Sequence, residues 1–400
     1  MNQVTTATNQ DANFSSNGNS KNNVTNNTST FSEVHRSHNF CAGPASLPTE
    51  VLLKAQAEML DWNGKGVSIM EISHRSADYI KVAEEAENSL RRLMKIPDDY
   101  KVLFLQGGAT LQFSAIPLNL LATEDNSGKA DYLTTGAWSE KAIKEANRYA
   151  QLGLGVVNEV ASSKASNFTT VPDQSEWQLS NSAQYFHYCV NETIHGVQIF
   201  EPPKVDAPLI ADMSSCILSE PIDVSKFGMI YAGAQKNIGP AGLVIVIIRE
   251  DLIGKASDWC PALLDYSSQS SKESMLNTPA TYSWYLAGLV FKWLEQQGGL
   301  EVIAKQNRQK AELLYKTIDQ SDFYVNPVDR KYRSIMNVPF TLKNSSLDSQ
   351  FLAEAEQAGL LNLKGHRDVG GMRASIYNAV SLESVQALCH FMTEFAKKQS

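Results

Sequence analysis

Residues 231–242 read YAGAQKNIGPAG, and they join two apolar runs, FGMIYAG on one side and LVIVIIRE on the other. Both runs have strand length, are dominated by apolar side chains, and are bounded by Gly and Pro, so they read as buried strands. A lysine at their junction, Lys236, is drawn partly out of water. Desolvation disfavours the charged form, and a neutral amine is the form that attacks a carbonyl. An exposed hairpin turn explains the same residues equally well, so the rest of the chain has to decide.

Strand and helix patterns alternate on the N-terminal side of this stretch. PTEVLLKAQAEML (48–60) reads as a helix. SADYIKVAEEAENSLRRLM (76–94) reads as an amphipathic one, with Tyr79, Ala83, Ala86, Leu90 and Leu93 on a stripe and Glu84, Glu85 and Glu87 largely off it. KVLFL, ADYLTTG, YFHYCV and APLIAD have strand character, and LQFSAIPLNLL and SEKAIKEANRYAQ have helix character. Such alternation predicts an α/β fold with a mainly parallel sheet covered on both faces. Residues 279–322 turn helical. RSIMNVPFTL, LDSQFLAEAEQAGL, GMRASIY and the closing SLESVQALCHFMTEFAKK then predict a smaller α+β unit.

Composition excludes several classes. The net charge is −8 and no Lys/Arg block stands out, which argues against a nucleic-acid binder. No apolar run approaches the roughly 20 residues of a membrane span, and no secretory signal is visible. The five cysteines, Cys41, Cys189, Cys216, Cys260 and Cys389, show no metal-ligand spacing and fit reduced thiols in a cytoplasm, so no metal site is expected. Residues 1–30 contain nine Asn, six Thr and four Ser, too polar a segment to offset its ordering entropy, and a disordered extension is expected over residues 1–37.

Open α/β sheets bind ligands at the carboxyl ends of their strands, and three candidates fall there. In LQGGATLQF (105–113), Gly107 and Gly108 permit a close turn, and the N–H groups of Ala109 and Thr110 at a helix start suit a phosphate. In IADMSS, Asp212 ends an apolar strand, where a carboxylate needs a cationic partner. Lys236 is the third. An acid able to hold a protonated pyridine nitrogen, a lysine able to form an imine and a phosphate loop together are the minimal equipment for pyridoxal 5′-phosphate (PLP) chemistry.

HNFCAGPASLP, DWNGKGVSIMEISHRS, LQGGATLQFSAIPLNLL, HYCVNETIHG, YAGAQKNIGPAGLVIVIIRED, LNTPATYSWYL and KGHRDVGGMRASIYNA occur in this order. With them the chain resembles the phosphoserine aminotransferase family of class V, fold-type I PLP enzymes, from about residue 38 to 398. That resemblance implies a large PLP-binding domain (54–300) with a seven-stranded, mainly parallel sheet, and a small α+β domain (38–53 and 301–400). It implies transfer of an amino group from L-glutamate to 3-phosphohydroxypyruvate in serine biosynthesis, and a related step in pyridoxine biosynthesis, in a cytoplasmic homodimer.

By the same resemblance Lys236 is the catalytic Schiff-base lysine, and Asp212 pairs with the pyridine nitrogen. Trp138 stacks on the ring and Thr193 bonds its 3-oxygen. Ala109, Thr110 and Gln235 hold the phosphate, joined by Asn277 and Thr278 from the partner subunit. Arg373 takes the substrate α-carboxylate, with His74, Arg75, His366 and Arg367 around the distal anion. Arginine suits such groups because its planar fork binds oxyanions bidentately. Thr110 stands where some family members have an arginine, so one distal contact is missing. Relatives acting on alanine and glyoxylate, cysteine desulfurases and a non-catalytic scaffold are the alternatives. The second His-Arg pair, the lack of a cysteine in a Gly/Ser-rich loop, and the presence of Lys236 and Asp212 weigh against them in turn.

Overall fold

The computed structural model describes residues 35–123 and 127–399, so the extension expected over residues 1–37 falls, up to residue 34, outside the described residues. After a two-residue strand β1 (His38–Asn39) come helices α1 (Thr49–Ala57) and α2 (Ala77–Met94). The alternating stretch follows as β2 (Tyr100–Gln106), α3 (Gly108–Leu120), β3 (Lys129–Thr134), α4 (Ala137–Gln151), β4 (Val156–Ser162) and β5 (Tyr185–Cys189). A short hairpin, β6 (Asn191–Glu192) and β7 (Val197–Gln198), precedes β8 (Leu209–Asp212), β9 (Met229–Gly233) and β10 (Leu243–Arg249). Helices α5 (Tyr266–Ser270), α6 (Thr281–Gln296) and α7 (Leu300–Asp319) lead to β11 (Tyr324–Val325), β12 (Asn337–Leu342), α8 (Asp348–Gln357), β13 (Leu360–Leu361), β14 (Met372–Ser375) and α9 (Leu382–Gln399).

The central sheet has seven strands in the order β2-β10-β9-β8-β5-β3-β4. Neighbours run parallel except β10, which is antiparallel to both β2 and β9. The reason lies in the opening stretch: residues 234–242 are too few for the crossover of about a dozen residues that a parallel pair demands. The hairpin reading of that stretch therefore describes the chain path correctly, although Lys236 within it is half-buried rather than exposed. Strand β4 went unrecognised in the sequence because it is an edge strand, in which only Val160 is buried.

Alternation of side chains gives the sheet two apolar faces. Leu103, Leu105, Tyr132, Ile210, Met229 and Val244 face α3 and α4. Phe104, Phe186, Ile230, Ile245 and Ile247 face the opposite layer, where α2 packs on α6. Each fully buried Ile or Val contributes about 1.5–3 kcal/mol, so β10, buried from Leu243 to Ile248, anchors both faces. Helix α2 buries Tyr79, Ala83, Ala86 and Leu90 as its stripe predicts. Met94 rather than Leu93 completes it.

A second, antiparallel sheet β11-β12-β14 packs with α7, α8 and α9. Its core is a cluster of edge-to-face rings in which Phe351 meets Tyr324, Phe340 and Phe395. From Ser37 onward the chain forms one compact unit. Among the described residues, no helix is long and apolar enough to cross a membrane.

Candidate active site

The carboxyl ends of β2, β3, β5, β8 and β9 each pass into a loop, and these loops carry the candidate residues. Beyond β9, Lys236 Nζ donates to Thr193 Oγ1 at 2.6 Å. Burial pulls the amine below the usual lysine range, while Asp212 is the strongest of the negative charges that oppose this. The N-terminal segment covers this loop. Ala45 N–H donates to the Gln235 carbonyl at 2.8 Å, and a Cβ on Gly43 would lie 3.6 Å from both Gln235 and Lys236.

Helix α3 begins at a turn that requires glycine: Gly107 and Gly108 have φ of +90° and +64°. Among the described residues no side chain caps this helix, so its first N–H groups, including those of Ala109 and Thr110, point outward at a positive helix end. A Cβ on Gly233 would stand 3.4 Å from Ala109 N, so the glycine at the end of β9 keeps the helix start close to the Gln235–Lys236 turn.

Asp212, 7% exposed, is paired in register with Cys189 on one side and Tyr231 on the other. Ser214 N–H donates to its Oδ1 at 2.8 Å, and Ser214 Oγ in turn accepts the Gly233 N–H at 3.0 Å. Beneath it, Tyr231 Oη and His187 Nε2 are 2.8 Å apart, and burial pushes the imidazole down to about 3, so His187 is neutral. A carboxylate held in this frame at a strand end suits a cationic ring nitrogen.

Trp138 stands in the first turn of α4, with its ring centroid 5.3 Å from Lys236 Nζ and 4.2 Å from Lys141 Nζ. Its Nε1 and the hydroxyl of Thr135 are buried without a hydrogen-bond partner among the described residues. Unlike α3, helix α4 is capped: Glu192 accepts the N–H groups of Trp138 and Ser139, and His195 Nδ1 accepts that of Ala137. Of these two helix starts, only that of α3 is open to an anion.

Arg373, half-buried on β14, donates through Nη1 to the Thr193 carbonyl at 3.4 Å, which brings it to the residue that holds Lys236. Burial lowers its guanidinium from the ordinary arginine value. His366 and Arg367 lie on the loop before β14 and both pair with Asp368; Arg367 is 90% exposed. Burial also lowers His366, and the positive charges of Arg373, Lys141 and Arg367 act in the same direction.

The other two predicted groups make no hydrogen bond or ion pair to Lys236 among the described residues. His74 and Arg75 precede α2, and neither makes a hydrogen bond or ion pair to Lys236, Thr193, Asp212 or Arg373 among the described residues. His74 is 8% exposed, with Nε2 buried and unpartnered. Asn277 and Thr278 are exposed beside their own chain's Gln106, whose amide donates to the Thr278 carbonyl at 3.1 Å. Sequence reasoning missed Glu192, Ser214 and Lys141. Glu192 was hidden in a turn-like Asn-Glu-Thr, and its total burial has no local signal.

This constellation offers an uncapped helix start for an anionic group, a framed carboxylate for a cationic ring nitrogen, an indole beside the amine for a planar ring, and a hydroxyl on the amine itself. Those are the demands of PLP, and the residues fit it. The Aminotransferase class-V family model matches residues 37–388. A phosphoserine aminotransferase of Acinetobacter baumannii (strain ACICU) is 63% identical over 91% of this chain and 99% of its own length. The structure of phosphoserine aminotransferase from Bacillus circulans subsp. alkalophilus superposes with a TM-score of 0.87 at 47% identity, over 91% of this chain and 99% of that one. PLP-bound phosphoserine aminotransferase from Trichomonas vaginalis gives 0.86 at 44%, over 90% of this chain and 100% of that one.

The fold and site define a PLP-dependent aminotransferase of class V. Within that class, the chain belongs to the phosphoserine aminotransferase family.

Proposed function

We propose that this protein transfers the amino group of L-glutamate to 3-phosphohydroxypyruvate, giving 2-oxoglutarate and O-phospho-L-serine, with PLP as cofactor. The observation that carries the reading is the Lys236–Thr193–Arg373 arrangement, in which one threonine receives the amine on its hydroxyl and the guanidinium on its carbonyl. The identity to enzymes of that name supports the substrates, and the PLP-bound relative supports the cofactor.

When bound, PLP supplies the electron sink that stabilises charge developing at the substrate Cα. The chain's residues supply the rest. Lys236, its amine lowered by burial and so biased toward the neutral form that acts as a base, would take a proton from the substrate carbon and return one. Asp212 would pair with the ring nitrogen and favour its protonated form. The N–H groups of Ala109 and Thr110, with Gln235, would hold the phosphate, and the Trp138 ring and Thr193 hydroxyl would hold the ring. Arg373 receives the α-carboxylate, and His366 and Arg367 the distal anion. A homodimer would bring the partner's Asn277 and Thr278 to the phosphate, and it offers His74 and Arg75 a route to the distal anion of a neighbouring site. The part containing the central sheet, residues 54–300, would act as the cofactor domain, with 38–53 and 301–400 as the smaller domain. The setting we assign is cytoplasmic serine biosynthesis, with a second role on the phosphorylated oxo acid of pyridoxine synthesis.

The test is steady-state kinetics with both substrates varied. Parallel reciprocal plots with 3-phosphohydroxypyruvate and glutamate, and a kcat/KM for pyruvate or glyoxylate lower by at least roughly 100-fold, are expected. Equal activity on the unphosphorylated acids would overturn the substrate assignment.

A further inference from the structure

We propose that Glu192 is a positioning residue of this site: its carboxylate fixes the start of α4, and so the Trp138 ring, in place for the cofactor. The inference rests on the reading of Trp138 as the wall against which that ring stacks.

Glu192 ends β6 and is 0% exposed. Its two oxygens receive three donors from one helix start: Trp138 N–H to Oε2 at 3.1 Å, Ser139 N–H to Oε1 at 2.9 Å, and Ser139 Oγ–H to Oε1 at 2.6 Å. Three residues on, His195 Nδ1 accepts the Ala137 N–H at 3.4 Å. The first N–H groups of a helix are ordinarily satisfied by the side chain of its own N-cap residue. Here the N-cap is Gly136, which has none, and a hairpin some fifty residues away in sequence does the capping.

Gly136 is not a glycine for conformational reasons, since its φ of 174° is extended backbone. It is a glycine for space: a Cβ there would lie 2.4 Å from Glu192 Cδ. The missing side chain and the buried carboxylate are two halves of one contact. The residue after Glu192 is Thr193, whose hydroxyl holds the Lys236 amine. The carboxylate that fixes the indole on α4 therefore comes from the residue next to the threonine that receives the amine.

A helix cap of purely structural value would look the same in a static picture, so the test must separate the two. Apoprotein is prepared for wild type, Glu192→Gln, Trp138→Ala and the double variant. PLP affinity is measured by titration and thermal stability by unfolding. Trp138→Ala is expected to weaken PLP binding, and Glu192→Gln to weaken it about tenfold, equivalent to about 1.4 kcal/mol. In the Trp138→Ala background the Glu192 substitution is expected to change affinity by less than about twofold, because the residue it acts through is gone.

An equal loss in both backgrounds, or unchanged affinity in Glu192→Gln, overturns the inference while leaving the stacking role of Trp138 intact. Unchanged affinity in Trp138→Ala overturns the stacking reading and the inference with it. Gly136→Ala, which displaces the carboxylate without removing its charge, covers the case in which Glu192→Gln does not fold. It is expected to weaken PLP binding in the same direction, and normal affinity there overturns the inference.

Discussion

Lys236 Nζ and Thr193 Oγ1 are 2.6 Å apart although 43 residues separate them in the chain. The amine comes from the loop between β9 and β10, the hydroxyl from the hairpin after β5, and parallel strands deliver both to the carboxyl end of the sheet. The acceptor is neutral, so the contact orients the amine without fixing a proton on it. Replacing Thr193 by Val keeps the shape and removes the acceptor. Weaker PLP binding by roughly 3–10-fold, the worth of one neutral hydrogen bond, is expected in a titration of the apoprotein.

The proton affinity of Lys236 reflects burial opposed chiefly by Asp212. Burial lowers the pKa; the negative charge raises it. Asp212→Asn removes the larger opposing charge, so Lys236 in that apoprotein should titrate lower than in wild type and stay neutral to lower pH. The pH dependence of amine labelling, followed by mass spectrometry of the Lys236 peptide, gives both midpoints. A midpoint unchanged or raised in Asp212→Asn would show that the two groups are not coupled as described.

Arg373 is expected to act by geometry as well as charge. Arg373→Lys keeps a cation but loses the planar fork. The variant should retain PLP and its visible absorption, while kcat/KM for glutamate and for 3-phosphohydroxypyruvate falls by about 100-fold, or about 2.7 kcal/mol. A loss confined to one of the two substrates would place Arg373 on the distal anion instead.

Lys310 makes a separate prediction about stability. It is 2% exposed on α7, and its Nζ donates to the carbonyls of Ile376, Tyr377 and Val380 at 3.0, 2.8 and 2.8 Å, pinning the turn after β14. Lys310→Met removes this donor: the Tyr377 carbonyl keeps the Val380 N–H at 2.9 Å, and each acceptor left unsatisfied costs on the order of 1–3 kcal/mol. Burial lowers the amine to about 7. Between that value and the unfolded value of about 10.4, the unfolded chain binds the extra proton, so this group adds stability as pH rises through the window and loses it as pH falls. Urea unfolding at pH 7, 8.5 and 10 should show a shallower rise for Lys310→Met than for wild type. Parallel curves would contradict the depressed value.

Much of this was legible in the sequence because it rests on local pattern. The apolar strands ending at Asp212 and Gly233, the Gly107–Gly108 turn and the alternation of elements all announce themselves within a few residues. What was not legible depends on partners distant in the chain. Strand β4 is too exposed at the sheet edge to carry a hydrophobic signature. The antiparallel direction of β10 follows from loop length, which the apolar pattern does not encode. Glu192 looks like a turn residue until α4 is placed over it. Among the described residues no hydrogen bond or ion pair joins His74 or Arg75 to His366 or Arg367, and Asn277 and Thr278 sit beside Gln106.

The central claim is that Lys236 serves amino-group transfer from a phosphorylated amino acid. The absorbance spectrum of the PLP-loaded protein tests it most directly, recorded before and after O-phospho-L-serine, with L-alanine and a Lys236→Ala variant alongside. We predict a visible band in wild type that disappears with phosphoserine and persists with alanine, and no such band or response in Lys236→Ala. A band in Lys236→Ala that behaves like wild type, or a wild-type band bleached equally by alanine, would contradict it.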